Sequence, residues 1–437
     1  MMTRTQKAVF RRPKAKTAAA PHAATTAGSP ATFRSAIVNR RASDRLRGGH
    51  PWVYASDVVE VADKEDASVP PGLIPVTDQR GIPLGTALYS PTSQIALRLV
   101  SREVLETDAD WLALVEARLR RALALRASME TEACRLVFSE ADELPGIIID
   151  RYGPLLLVQL LARGLDRSEI RALVTRILRE ELTPETVLDT IVERGDARIA
   201  AIEGLQTPAL ATLYSKDANY PQLETSFLLN GLRFAYDAAS GQKTGAFLDQ
   251  RLNYAAAAEH ARGDALDICT YQGGFALHLA RCCSRVTGVD ASRSALEVAE
   301  RNLEANRSLL SAELDWVEAD AFELLRAWSD AGNAYDTIVL DPPAFAKSKR
   351  AVDGALRGYK ELNLRALKML RPGGVLVTCS CSHHISAADF SATVAAAAAD
   401  AGRRVRLLER RGAAPDHPVI LTIPETEYLK CLICVAE

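Results

Sequence analysis

No run in this sequence approaches the roughly 18 consecutive apolar residues of a membrane-spanning helix, so no membrane partner is expected. Neither sign of charge is in excess: 53 basic against 55 acidic side chains leave a formal net charge of −2. The chain as a whole therefore offers no basic field for nucleic acid, although a local basic patch binds phosphate without one. A secretory leader is also lacking, and the eight cysteines are scattered. Both features point to reduced thiols in a cytoplasmic protein rather than a disulfide framework. Finally, there is no Gly-x-Gly-x-x-Gly turn, which disfavours a pyrophosphate-bearing dinucleotide.

What is present is an ordinary globular composition, 48% hydrophobic and 25% charged over 437 residues. That length exceeds one core and predicts two or three domains. Residues 1–32 stand apart: Arg4, Lys7, Arg11, Arg12, Lys14 and Lys16 sit among Ala, Thr and Pro. A disordered basic tail is expected there; a basic arm on RNA and an organelle transit peptide are the alternatives.

The most informative stretch is Ala265-Leu-Asp-Ile-Cys-Thr-Tyr-Gln-Gly-Gly-Phe275. It reads as a strand carrying Asp267, a turn from Tyr271 through Gly273 and Gly274, and a helix. Glycine at both positions lets backbone approach a ligand where a Cβ would collide. A second apolar strand ends at Asp290, roughly 20 residues on, where a carboxylate accepts the ribose hydroxyls of a nucleoside cofactor. Asp320 ends a third strand, where an adenine would lie. The fourth stops at Asp341-Pro-Pro-Ala-Phe345. In that order, Asp267, Asp290, Asp320 and Asp341-Pro-Pro resemble the class I S-adenosylmethionine (SAM) methyltransferases. The fold expected is α/β, a Rossmann-like domain at the carboxyl terminus; a purely structural doubly wound domain is the bland alternative.

Short strand-like runs alternate with Gly/Pro turns across residues 33–105, predicting a small all-β module. Its loop Arg45-Leu-Arg-Gly-Gly-His-Pro-Trp-Val-Tyr54 mixes cations and aromatics, so Arg45, Arg47 and Trp52 are candidate RNA contacts, with core packing the alternative for Trp52. Gly49 to Val53 resembles the Gly-His-Pro-Trp-Val of PUA domains, which are RNA-binding β-barrels. Residues 106–222 read as an α+β module: a helix over Ala109 to Met129, a β-meander turning at Asp150 to Pro154, a helix near Ser168–Glu181, a strand at Val187–Val192, and loop from Leu205 to Pro221. The catalytic domain is expected over 223–437. Its glycine-rich segment Gly241 to Arg251 is similar to one preceding the cofactor turn in a family of RNA methyltransferases. That family joins PUA, α+β and methyltransferase domains and modifies large-subunit ribosomal RNA. The resemblance implies SAM as cofactor, ribosomal RNA as partner, no metal, and Phe247 and Gln250 as further cofactor-binding residues. A homodimer is left open.

Past Phe345 the chain carries Lys347, Lys349 and Arg350, a basic loop suited to phosphate or merely solvated. With it, Pro342, Pro343 and Phe345 are candidate substrate contacts: the prolines stiffen the loop, and the ring can stack on a flipped base or pack in the core. The reaction type turns on Val375-Leu-Val-Thr-Cys-Ser-Cys-Ser382. Methylating nitrogen needs only positioning, whereas cytosine C5 becomes nucleophilic only after a thiolate adds to C6. Cys379 and Cys381 share a face in an extended strand, so geometry alone leaves both open. The family's Ser-Cys-Ser element matches Ser380 to Ser382, which implies Cys381 as nucleophile, Cys379 as packing and Asp341 at cytosine N3. A zinc set of Cys379, Cys381, His383 and His384 is disfavoured by crowding. Cys431-Leu-Ile-Cys434 reads as a core strand, and His417 as a residue for the substrate site. The expected activity is cytosine-C5 methylation of ribosomal RNA; guanine-N methylation or a non-catalytic assembly factor are the alternatives.

Overall fold

The computed structural model describes residues 35–62, 72–182, 188–206, 209–239, 246–346 and 348–437. The expectations for residues 1–32 and for Lys347 lie outside these.

A seven-stranded sheet dominates the carboxyl-terminal half. We number its strands β1 (Asp264–Ile268), β2 (Arg285–Asp290), β3 (Glu313–Glu318), β4 (Tyr335–Leu340), β5 (Leu370–Ser380), β6 (Val405–Arg411) and β7 (Lys430–Ala436). The spatial order is β3-β2-β1-β4-β5-β7-β6, parallel throughout except for β7, which runs against both neighbours. Because helices cover both faces, central strands read as unbroken apolar runs: Ala265, Leu266, Ile268, Ile338, Val339, Leu340 and Val375 to Val377 are all buried. Each such side chain contributes about 1.5–3 kcal/mol by leaving water. Strand order reverses between β1 and β4, which opens a crevice at their carboxyl ends where ligands bind in such sheets.

Ahead of it, a five-stranded sheet (133–215) packs the helices Asp108–Arg126 and Ser168–Glu181 on one face. The first helix is fixed by a capping box between Thr107 and Asp110. The opposite face shares a core with the hairpin Glu224–Leu229/Leu232–Asp237 and with the large sheet. Tyr152 and Tyr236 stack across that junction at 3.9 Å. A six-stranded amino-terminal sheet has its own core of Ala36, Val38, Val53, Ile74 and Leu97.

Several sequence expectations need correction. The amino-terminal module is not all-β: Arg40–Arg47 is a helix capped by the Asn39 side chain, so Arg45 and Arg47 lie on its last turn. Leu205 to Pro221 is not all loop. Leu210–Ser215 pairs antiparallel with Thr190–Arg194 as an edge strand, and its half-exposed residues lack the burial pattern that marks a strand. The helix Ala197–Glu203 was not expected; its buried Glu203 binds Arg98 of the amino-terminal module at 2.9 Å. The meander turn is Gly153-Pro154 alone, since the strand continues to Tyr152 and Asp150 is buried in a bidentate pair with Arg135.

Asp416 pins the middle sheet to the large one. Fully buried, it accepts from the Arg135 backbone N–H at 2.8 Å and from Arg251 at 2.9 Å, while its carbonyl accepts from Arg126. Burial alone would raise its pKa; His417, Arg251 and the Arg135 N–H outweigh that and hold it well below the usual range. Asp416→Asn is expected to lower stability by about 3 kcal/mol, because it leaves the buried Arg251 without its countercharge. The urea-unfolding midpoint reads this directly, and an unchanged midpoint would contradict it.

Candidate active site

Five consecutive strand ends deliver side chains to the crevice. Asp290 closes β2, Asp320 follows β3, Asp341 follows β4 and Cys381 follows β5; the turn after β1 supplies Cys269 and Tyr271. Together with Phe247, Asp249, Gln250, Ser292, Phe322, Pro342, Pro343, Phe345, His383 and Tyr428 they enclose a cleft of about 660 Å³. That volume suits a nucleoside-sized ligand. Among its described lining residues are four aspartates and no Lys or Arg. Such a wall suits a cationic, phosphate-free ligand and repels a pyrophosphate.

The turn after β1 is held open by backbone strain. Cys269 and Tyr271 have φ of 64° and 52°, and Gly273 has 85°, conformations that L side chains seldom adopt. Asp290 supports this turn, accepting from the Tyr271 N–H through one oxygen and the Ser292 N–H through the other, each at 2.9 Å. Each oxygen retains a second lone pair for a hydroxyl. Asp320 caps the helix Ala321–Asp330 through Oδ1.

Three expected cofactor residues are not on the cleft wall. Asp267 is fully buried beneath the turn; its Oδ2 accepts from Thr270 Oγ1 at 2.6 Å and from the Ala276 N–H at 2.9 Å. Burial, with Asp290 adding, raises its carboxyl to about 7. Gly273 and Gly274 meet a packing demand: a Cβ at Gly273 would stand 2.9 Å from the Trp316 ring, and one at Gly274 2.6 Å from that of Tyr254.

Asp341 is the most perturbed acid of the wall. Burial, then Asp249 and Asp267, raise it to about 8, against the hydrogen bond from Gln250. Gln250 Nε2 donates to Asp341 at 3.0 Å; Asn253 donates to Gln250, and Arg411 to Asn253. This chain fixes Gln250 with its amide N–H toward the carboxyl. Cys381 lies on the same wall, its thiol 3.9 Å from the Pro342 carbonyl. Burial, then Asp341 and Asp249, push the thiol up to about 12, with Lys430 opposing. Cys379 is fully buried opposite Cys431. The strand ends at Ser380, so alternation stops there and, of these two cysteines, Cys381 alone reaches the cleft.

Phe345 lines the cleft while packing on Phe322 and Tyr359, with ring centres 5.7 and 4.7 Å away. Pro343, Lys349 and Arg350 are exposed near it. Arg45 bonds Asp57 and the Trp52 carbonyl, Arg47 bonds Asp78, and the Trp52 indole donates to Glu140 of the middle module at 2.8 Å. These contacts tie the amino-terminal module together, and none of the three lines the cleft. His417 is buried against Phe138 and Asp416 rather than on the cleft. Among the described residues no cluster is arranged to hold a metal.

Sequence reasoning missed Asp249, Tyr428 and the cleft position of His383. Tyr428 donates to Asp249 at 2.6 Å, and its ring lies 5.2 Å from His383. Asp249 sits beside Gln250 in a segment already singled out; Tyr428 carries no local signal, being brought in by the approach to β7.

A model of S-adenosylmethionine-dependent methyltransferases matches residues 213–431, and a PUA-like domain model matches 36–102. Ribosomal RNA large subunit methyltransferase I of Pseudoalteromonas translucida is 37% identical over 415 residues, 92% of this chain and 99% of that protein. Its counterpart from Escherichia coli O139:H28 is 36% identical over 410 residues, with 92% and 99% covered. Among solved structures, SMU.776, described as a methyltransferase and complexed with SAH, aligns with a TM-score of 0.75 at 20% identity. It covers 92% of this chain and 100% of its own, a likeness of fold. Identity of 37% along almost the full length of both chains goes beyond a shared fold, and the chain belongs to the S-adenosylmethionine-dependent methyltransferase family of ribosomal RNA large subunit methyltransferase I.

Proposed function

We propose that this methyltransferase acts in the cytoplasm on large-subunit ribosomal RNA and methylates C5 of a cytosine through a covalent bond from Cys381 to C6. The observation that carries the reading is that, of the two cysteines of the Thr-Cys-Ser-Cys-Ser element, Cys381 stands on the cleft wall with Asp341, a carboxyl biased toward its protonated form, while Cys379 is sealed in the core. A nitrogen-methylating site has no use for that pairing, since positioning of a lone pair suffices.

SAM supplies an electrophilic methyl group; Asp290 would hold its ribose, with Asp320, Tyr271 and Phe247 along the same wall. The acidic lining, without Lys or Arg among its described residues, supports that fit. The Cys381 thiolate would bond C6 as Asp341 gives its proton to N3, making C5 nucleophilic toward the methyl group that bound SAM would supply, with the thioether S-adenosylhomocysteine as leaving group. The C5 proton then leaves to cleft water, the C5–C6 double bond re-forms, Sγ departs, and the N3 proton returns to Asp341. Phe345 and Pro343 would flank the flipped base, and Lys349 and Arg350 would meet the phosphates. On this reading, 33–105 and 106–222 present the RNA to the catalytic domain over 223–437.

The test is methyl transfer from labelled SAM to unmodified ribosomal RNA, followed by nucleoside analysis. Label is expected in 5-methylcytidine; label in a guanine would overturn the C5 assignment.

A further inference from the structure

Lys430 is an ammonium kept from water with carbonyls, and no carboxylate, bonded to it. It opens β7 directly across from Ser380, the last residue of β5, and only 5% of it is exposed. Its Nζ donates to the carbonyl oxygens of Ser382 and Tyr428, each at 2.7 Å. Ser382 follows Cys381, and Tyr428 lines the cleft. The ammonium thus joins the two segments flanking the thiol. Among the described residues two carbonyl bonds leave its third donor without a partner and no carboxylate in direct contact with its charge, a costly state for a buried ion unless a countercharge forms.

We propose that Lys430 is a positioning residue whose ammonium is the countercharge of the Cys381 thiolate. The inference rests on Cys381 being the nucleophile. Around the thiol, Asp341 and Asp249 oppose ionisation and Lys430 favours it. The Tyr359 hydroxyl, 3.0 Å from Ser382 Oγ, and His383, which burial keeps neutral, bring no positive charge. The groups that favour the ammonium are Cys381 and Glu427; burial opposes them and lowers Lys430 to about 8. The ammonium is therefore charged at neutral pH, and when the thiol ionises its proton leaves to cleft water.

The test is alkylation of Cys381 by iodoacetamide in the full-length protein between pH 6 and 9, read by peptide mass, for wild type, Lys430→Met and Lys430→Arg. Displacement of iodide by the thiolate measures ionisation whatever base the enzyme methylates. Lys430→Met is expected to slow alkylation of Cys381 at least about 10-fold at pH 7.5, equivalent to one pKa unit, with SAM binding retained. Its kcat should fall by a similar factor with KM for RNA unchanged, and Lys430→Arg should keep most of the wild-type rate. Wild-type alkylation in the Met variant would overturn the proposal. If that variant fails to fold, Lys430→Arg decides: an alkylation rate as low as that expected for Met, with SAM binding intact, would also overturn it. Failure of the nucleophile reading would show separately, as methylation by Cys381→Ala.

Discussion

Cys381→Ala is expected to lower methyl transfer by on the order of 10⁴-fold or more, the scale on which removing a covalent nucleophile acts. Among the described residues the other cleft cysteine, Cys269, belongs to the turn after β1 rather than to the end of β5 that carries Cys381. The loss should fall on kcat, with SAM affinity unchanged, because Cys381 follows β5 while Asp290 and Asp320 lie at the ends of β2 and β3. Cys379→Ala provides the contrast. That thiol is fully buried in the sheet core opposite Cys431, so its loss should cost about 1 kcal/mol of stability and leave kcat near wild type. Rates and melting curves of the two variants, measured together, separate nucleophile from packing. A Cys381→Ala enzyme with more than a tenth of wild-type activity would contradict the assignment.

Asp341→Asn is expected to reduce kcat by roughly 10² to 10³-fold, the contribution of a general acid. An amide can hydrogen-bond N3 but cannot deliver a proton to it. The pH dependence follows from the raised pKa of each reacting group, Asp341 and Cys381. Below pH 8 Asp341 is mostly protonated, and the rate should climb with the thiolate fraction of Cys381, whose pKa lies near 12. Above about pH 8 each gain in thiolate is offset by loss of the Asp341 proton, and Lys430 loses its charge in the same range. The log of kcat/KM should therefore rise with near-unit slope and flatten near pH 8. A profile that is flat from pH 6 would mean that the thiol ionises without these constraints.

The carboxyl-edge architecture was legible because parallel strands buried on both faces write themselves as apolar runs, and each run here stops at an acid or a cysteine. Asp290, Asp320 and Asp341 are therefore placed on one edge by the sequence pattern, whereas the choice of Cys381 over Cys379 comes only from the family's Ser-Cys-Ser element. The packing demand on Gly273 and Gly274 was not legible, since the rings of Trp316 and Tyr254 that impose it come from β3 and from the helix Arg251–His260. Likewise Asp249 became a site residue only through Tyr428, whose position depends on the final strand. The Arg40–Arg47 helix is short and mostly polar, so its one usable signal was the cap at Asn39. Arg45 and Arg47 looked like free cations because their partners, Asp57 and Asp78, lie on other parts of the chain. Local pattern finds elements; the pairing of charges between them is a property of the packed molecule.

The most direct test of the account is trapping with ribosomal RNA carrying 5-fluorocytidine in place of cytidine. With fluorine at C5 there is no proton to lose after methyl transfer, so the Sγ–C6 bond cannot be released. In the presence of SAM, wild type should form a complex with the RNA that survives denaturing electrophoresis, and Cys381→Ala should form none. An equal yield of the denaturant-stable complex from Cys381→Ala, or none from an active wild-type enzyme, would contradict covalent catalysis by Cys381.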